Sequence, residues 1–425
     1  MKLLVFAHTP PPHHGQSYMV QLMLAGFGGD RRKSRGAAPS APLGVECYHV
    51  NTRLSQKLED IGDYRIGKLF LLLGYCLQAI WCRFRYGVRN FYYIPAPGKP
   101  SALYRDWLVM FVCRPFFERI ILHWHAAGLA KWLETNVQMR VRSATYFFMK
   151  QVDLSIVLSK YNRADAEKIF SRQIKVVGNG IPDPCPEFDR ELSPRRRARF
   201  AARAKLLAGQ TPTNEDLASA GGDPQILRIL YLAHCTREKG LFDTLAGVVI
   251  ANRLLAEAQS PIFLSLMVAG TFVSAEEKSE FDQIMSRPGA AAGIEYLGFV
   301  AGDQKDRLFR QADLFCFPTY YQNENQPVNL IEAMAFGLPI LTTRWRSIPE
   351  LFPVDYPGLV AIRSPEQIAQ AIIKLMNCET GSDFRAAFLR SFTLERHLAG
   401  LAEAFGHCDS ARPGALPATA GALLN

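Results

Sequence analysis

Two glutamates, Glu324 and Glu332, stand with seven residues between them, on either side of a stretch that reads as a helix start. Ionised carboxylates accept hydrogen bonds from hydroxyls. The unpaired N–H groups of a helix start favour an anion. One site that offers both suits a ligand carrying hydroxyls and phosphate, such as a sugar nucleotide. Other chemistry-bearing residues lie upstream. His234, Arg237 and Lys239 share the polar loop Ala233-His-Cys-Thr-Arg-Glu-Lys-Gly240. His123 and His125 close an apolar run before Ala-Ala-Gly128, and alternation puts them on one face of a strand. His14 and Gly15 end the loop that follows the first apolar run. Each histidine also has a plainer reading, as a hydrogen-bonded structural residue.

The elements that must position these residues are strands followed by helices. Ala312–Phe317 is a short apolar run of the kind found in buried parallel strands. Pro327 suits a first helical position, and Gly337 with Pro339 closes that helix before a strand beginning at Leu338. The same alternation runs from residue 2 to about 180 and again from 226 to about 390. That pattern predicts α/β architecture with two doubly wound, Rossmann-like domains. The boundaries are 1–185 for the first domain, 186–225 for an inter-domain region with an insertion, 226–390 for the second, and 391–425 for a terminal helix and tail. The helix is expected to pack back on the first domain, and the tail to fray from Cys408. In the first domain, a helix is expected near Ser17 as N-cap. Gly178-Asn179-Gly180 is expected to form a turn at positive φ. The charge run Arg195–Arg199 is expected to be solvated.

Composition bounds the partners. The chain has 425 residues, 48% of them hydrophobic, and a net charge of +10. Basic balance of this kind fits nucleic acid, anionic lipid or a phosphorylated substrate. No nucleic-acid-binding motif accompanies it, so nucleic acid is not an expected partner. The nine cysteines lack a Cys-x-x-Cys pair, which fits reduced buried thiols and argues against a zinc cluster. The first residues do not read as a secretory signal, and no apolar run is long enough to span a bilayer. Helix 66–85 is strongly apolar with a basic end, where Arg83, Arg85 and then Arg89 follow the apolar face. It is either a core helix capped by cations or a contact with an anionic membrane surface.

Glu324 and Glu332 are followed by Ala-Met-Ala-Phe-Gly-Leu-Pro-Ile and later by Ile-Pro-Glu350. Together with Glu238-Lys239-Gly240, Tyr296-Leu-Gly-Phe299 and Asn179-Gly-Ile, they resemble the retaining, nucleotide-sugar-dependent glycosyltransferases of family 4. The resemblance is to bacterial enzymes that build capsule, exopolysaccharide or lipopolysaccharide, and it implies the two-domain GT-B fold. It implies catalytic positions for His125, Glu324 and Lys239: the histidine near the reacting sugar, Glu324 on the sugar hydroxyls, Lys239 on the diphosphate. Glu332 would hold the ribose. Asn325, Gln326, Pro327, Val328 and Asn329 would present the helix start to the diphosphate, while His14 and Gly15 would line the opposite side of the cleft. Where the family often carries Gly-Arg before the lysine, this chain has Ala233 and His234, so His234 or Arg237 is expected to supply the second diphosphate contact.

The expected reaction is hexose transfer from a UDP- or GDP-sugar to a glycan or polyprenyl-linked acceptor with retained configuration. No cofactor or metal is required in this reading. The enzyme is expected in the cytoplasm, peripheral on the inner face of the plasma membrane. Two rivals use the same fold and ligand: a nucleotide-sugar epimerase, which works without an acceptor, and a non-catalytic sugar-nucleotide-binding protein.

Overall fold

The computed structural model describes residues 1–11, 14–33, 41–54, 66–287, 292–378 and 381–410. It contains two six-stranded sheets in which every strand pair is parallel. The first is ordered β2-β1-β3-β4-β5-β6. Its strands are Lys2–Phe6, Glu46–Val50, Asn90–Tyr93, Arg119–Trp124, Leu154–Val157 and Ile174–Val176, β1 to β6 in chain order. The second is ordered β12-β11-β10-β7-β8-β9. Its strands are Ile226–Leu232, Phe263–Ala269, Ile294–Gly298, Leu314–Phe317, Ile340–Thr343 and Leu359–Val360, β7 to β12. Two parallel sheets of this kind, each covered by helices, fit the expected GT-B arrangement of two Rossmann-like units.

The apolar runs read as strands because helices cover both sheet faces. In β1, Leu4 and Phe6 enter the core on one face, while Leu3 and Val5 enter the other. The helix Leu394–Ser410 lies on that second face, where Leu398, Leu401 and Phe405 join Leu3 and Val5. Cys408 is buried in this helix rather than at the start of a tail; residues 411–425 lie outside the described part. None of the nine cysteines is in a disulfide.

Strand order reverses at one point in each sheet, between β1 and β3 and between β7 and β10. Loops leaving neighbouring strands at such a point diverge to opposite faces and open a crevice at the carboxyl ends. His8 and His14 follow β1; His234 and Lys239 follow β7; Glu324 follows β10.

Three local expectations are corrected. Ser17 is the third residue of the helix Gly15–Gly26, whose N-cap is His14. Gly178 and Gly180 are not at positive φ. Gly180 is required by close approach, since a Cβ there would lie 2.2 Å from the Thr393 carbonyl oxygen. The arginine run is solvated only in part: Arg195 and Arg197 are exposed, but Arg199 is not. It belongs to the helix Ser193–Leu207, and Arg199 and Arg203 are buried. Four-residue spacing puts both on one face, where they pair with Asp313 at 2.8 and 3.2 Å. The polar stretch after it includes a further helix, Asn214–Ala220, capped reciprocally by Thr213 and Asp216.

Candidate active site

The helix Val328–Ala335 follows β10 and is preceded by Pro327 as N-cap, one position earlier than expected. A proline there has no capping side chain, and none caps this helix. The N–H groups of its first turn therefore carry the positive end of the helix dipole without a side-chain partner. Its far end is closed by Gly337 at φ 59°, with the Leu338 N–H donated to the Ala333 carbonyl.

Glu324 sits in the loop before this helix and is 8% exposed. It accepts hydrogen bonds from Lys239 Nζ at 2.7 Å and Thr319 Oγ1 at 3.0 Å. The lysine ammonium also lies over the Tyr321 ring, 4.4 Å from its centre. Glu332 is buried inside the helix, and burial raises its carboxyl pKa. Lys305 opposes that shift through an ion pair with Glu332. Burial pulls the Lys305 pKa down, but Glu332 and its hydrogen bond leave it above its ordinary value. Both carboxylates thus have a lysine partner. Lys239 had a sequence signal in Glu-Lys-Gly240. Lys305 had none, because it reaches Glu332 from the helix Gly302–Gln311 after β9.

Two residues expected near the diphosphate part company. The His234 imidazole is pulled down in pKa by burial and then by Lys239, so it is electrostatically coupled to the lysine. Arg237 is turned elsewhere: its guanidinium pairs with Glu280 and lies 4.6 Å from the centre of the Phe242 ring.

Asn325, Gln326 and Asn329 have side-chain tasks that the sequence did not reveal. Asn325 Nδ2 donates to Asn162 Oδ1 at 2.7 Å and to the Trp124 carbonyl at 3.3 Å. Its Oδ1 accepts from Ser159 and Ser347 hydroxyls at 3.2 and 3.1 Å. Gln326 Oε1 accepts the Asn179 N–H, and the Gln326 backbone carbonyl accepts from Asn179 Nδ2 at 3.0 Å. These bonds join the β10 loop to the first domain. Glu350 adds to them, accepting the Lys160 and Tyr161 N–H groups at 2.8 and 2.6 Å. Asn329 Nδ2 donates to the Leu232 carbonyl at 2.9 Å. Its Oδ1 is buried without a partner.

The first domain brings histidines to the facing side. His125 follows β4 and is half-buried, its ring 4.2 Å from that of His123. His123 is the structural one of the pair: it is buried and its Nδ1 is 2.6 Å from the Tyr92 hydroxyl. Burial, with help from His397 and His14, pulls the His125 pKa down to about 3. The loop after His125 is held by Asp165, which accepts the Gly128 and Ala130 N–H groups at 2.8 and 2.7 Å. His14 Nδ1 accepts the Ser17 N–H, so its Nε2 carries the proton and donates to His8 Nε2 at 2.8 Å. A Cβ on Gly15 would lie 3.7 Å from Val328 Cγ2. The two helix starts therefore face one another across the cleft, and Tyr18, one turn in, feels the charges of Lys305 and Glu332.

Residues 218–389 match the family model for glycosyl transferases group 1. The chain is 30% identical over 347 residues to the amylovoran biosynthesis glycosyltransferase AmsK of Erwinia amylovora, covering 77% of each chain. This chain belongs to the group 1 glycosyltransferases. It is also 24% identical over 284 residues to the uncharacterized glycosyltransferase MJ1607 of Methanocaldococcus jannaschii, covering 64% of this chain and 65% of that one. Among solved structures, the fold is shared with Anabaena HepE in complex with UDP, at a TM-score of 0.59 and 16% identity over 96% of this chain and all of the other. Sucrose-phosphate synthase from Thermosynechococcus elongatus superposes with a TM-score of 0.63 at 15% identity, over 96% of this chain and 100% of that one. Among the described residues of this glycosyltransferase, no helix is long and apolar enough to cross a membrane. No group of three or more His, Cys, Asp or Glu residues there is placed to hold a metal ion.

Proposed function

We propose that the enzyme transfers a hexose from a nucleoside-diphosphate sugar, UDP- or GDP-linked, to a glycan or polyprenyl-linked acceptor, with retention of anomeric configuration. The reading places the enzyme in cell-surface polysaccharide assembly, in the cytoplasm at the inner face of the plasma membrane. The observation that carries it is the pairing of Glu324 with Lys239 beside the uncapped start of the helix Val328–Ala335. A sugar hydroxyl takes the place of the lysine on Glu324, and the released ammonium meets the diphosphate. Glu332 receives the ribose hydroxyls as Lys305 gives way. Solved Anabaena HepE holds UDP, and UDP with glucose, on the same fold, which supports this class of donor.

In the transfer step, the bond from the anomeric carbon to the diphosphate oxygen breaks. A bond to the acceptor oxygen forms on the same face, and the acceptor proton passes to the departing diphosphate oxygen. Lys239 and the helix N–H groups stabilise the charge that develops there. His125, neutral at physiological pH, exchanges hydrogen bonds with the donor sugar. Asp165 is committed to the loop after His125, which supports retention over a mechanism needing a free carboxylate base. The reaction so written needs no metal or cofactor.

A panel of nucleotide sugars tested by thermal shift identifies the donor: a ligand at 100 times its Kd adds about 2.7 kcal/mol of stability. Purified enzyme is then assayed for nucleoside diphosphate release. Steady release supports transfer chemistry; stabilisation without release, or conversion of donor to an epimer, contradicts it.

A further inference from the structure

The helix Ile66–Tyr86 is apolar on two opposite faces. Leu72, Cys76, Ala79 and Cys82 are buried against the first sheet. Phe70, Leu77, Trp81 and Phe84 recur at helical spacing on the other side and are exposed. A helix that is apolar all round belongs in a core or against lipid, so the expectation of a wholly buried core helix fails for half of this one. The exposure continues on its neighbours. The helices Pro100–Cys113 and Met139–Met149 pack beside it in that order. Phe84 is 70% exposed, Phe111 67% and Phe147 65%. Side chains this large and this exposed, gathered on one layer of helices, exceed the scattered apolar residues of an ordinary surface. The aromatic rings gather in two groups: Phe84 meets Phe116 edge-on at 6.2 Å, and Phe111 meets Phe148 at 6.3 Å, with Phe147 5.3 Å from Phe148.

Charge decides what covers this face. The three helices carry Lys68, Arg83, Arg85, Arg105, Arg140 and Arg142 against a single carboxylate, Asp106. That carboxylate is buried and paired with Arg105. Arg114 and Lys150 stand just past two of the helix ends, and Lys150 lies over the Phe147 ring. The layer therefore presents aromatic rings and cations with no exposed acid on its helices. Glu118 pairs with Arg83 at the edge of the layer, but the balance of the face stays positive; a protein partner would have to satisfy both a broad aromatic strip and that excess of cations. An anionic bilayer supplies acyl chains and phosphates together.

We propose that the outer face of these three helices is the surface by which the protein docks on an anionic lipid bilayer. In a parallel sheet the helices run opposite to the strands, so the starts of Ile66–Tyr86 and Pro100–Cys113 lie at the carboxyl ends of the strands, where the cleft opens. Docking on this layer sets the cleft mouth beside the bilayer, within reach of a lipid-linked acceptor. The inference rests on the proposed location at the membrane and names the surface that carries it; the transfer chemistry is tested apart from it.

The test is co-sedimentation of the full chain with vesicles of phosphatidylglycerol and phosphatidylethanolamine, and with vesicles of phosphatidylcholine alone. Two variants are compared with the parent: Phe84→Ser/Phe111→Ser/Phe147→Ser and Arg85→Glu/Arg140→Glu. All five positions are at the surface, and unchanged circular dichroism verifies that both variants fold. The parent is expected to bind the anionic vesicles in a salt-sensitive manner, and each variant about tenfold less or weaker still. Release of nucleoside diphosphate from a soluble donor is expected to be the same in all three. No binding to anionic vesicles, equal binding to phosphatidylcholine, or binding that both variants retain overturns the proposal. A dimer seen by sedimentation velocity and dissolved by the serine variant also overturns it, in favour of a second copy as occupant. Loss of donor turnover in every protein, with vesicle binding intact, leaves docking supported and counts against the transferase reading instead.

Discussion

Lys239 Nζ and Glu324 Oε2 lie 2.7 Å apart, with the carboxylate held further by Thr319. The cation assigned to the diphosphate and the anion assigned to the sugar neutralise one another across two loops of the second sheet. Contacting residues of opposite charge couple in double-mutant cycles by about 0.5–3 kcal/mol. Urea denaturation of Lys239→Met, Glu324→Gln and the double variant should return a coupling in that range without any ligand. Additive effects would mean that the pair does not form in solution.

Lys305 and Glu332 make the second pair, and its pH dependence has a definite sign. Burial raises the folded-state pKa of Glu332 above its unfolded value. A group shifted that way favours folding below its unfolded pKa, and that contribution is lost as pH rises through the folded pKa. Lys305 counters the shift, so Lys305→Met should raise the Glu332 pKa further. The variant is expected to lose little stability near pH 4 and progressively more above about pH 5, where unfolded glutamate is ionised. Thermal melts across that range check it. In the parent background, Glu332→Ala should weaken donor binding by about 1.5–3 kcal/mol through loss of charged hydrogen bonds.

The cleft histidines predict a different profile. Burial lowers His8 to about 4, His125 to about 3 and His397 to about 4. Their folded pKa values lie below the unfolded value, so the stability they contribute is complete above about pH 6.5 and declines as pH falls through the folded values. The melting temperature should drop between about pH 6.5 and pH 4. The turnover of folded enzyme should show no inflection near pH 6.5. An inflection there that His125→Gln removes would show a histidine titrating in the physiological range.

Asp313 holds two buried guanidinium groups, those of Arg199 and Arg203. Asp313→Ala leaves both without their carboxylate. Breaking a buried pair from one side costs about 3–5 kcal/mol, and guanidinium denaturation should show a loss of that order. A much smaller loss would indicate that water reaches these arginines.

The contrast between Asp313 and Glu324 shows what was legible in the sequence. The loops that carry Glu324 and Glu332 were legible because the spacing of the two glutamates and the apolar runs around them mark a strand, a loop and a helix, whereas Lys239 was singled out by the resemblance. The βα alternation likewise gave two doubly wound sheets, since strand and helix periods differ. Arg199 departs from its expectation because a charge run resembles a solvated face until its helix is known to lie against Asp313, more than a hundred positions away; Arg203, beyond the run, had no signal of its own. Lys305 was missed for the same reason: nothing local marks it as the partner of Glu332. Asn325 and Gln326 stood in the right stretch, but their side chains reach Asn162 and Asn179 of the other domain. Such contacts depend on how the two sheets meet, which no local pattern encodes.

The central claim is that Glu324 and Lys239 handle the donor. It is tested most directly by nucleoside diphosphate release from the donor found by thermal shift, comparing the parent with Glu324→Ala and Lys239→Ala. Loss of a group that stabilises developing charge typically costs about 10²-fold or more in turnover, and both variants should show a loss of that order while remaining folded. Turnover unchanged in both would contradict the account.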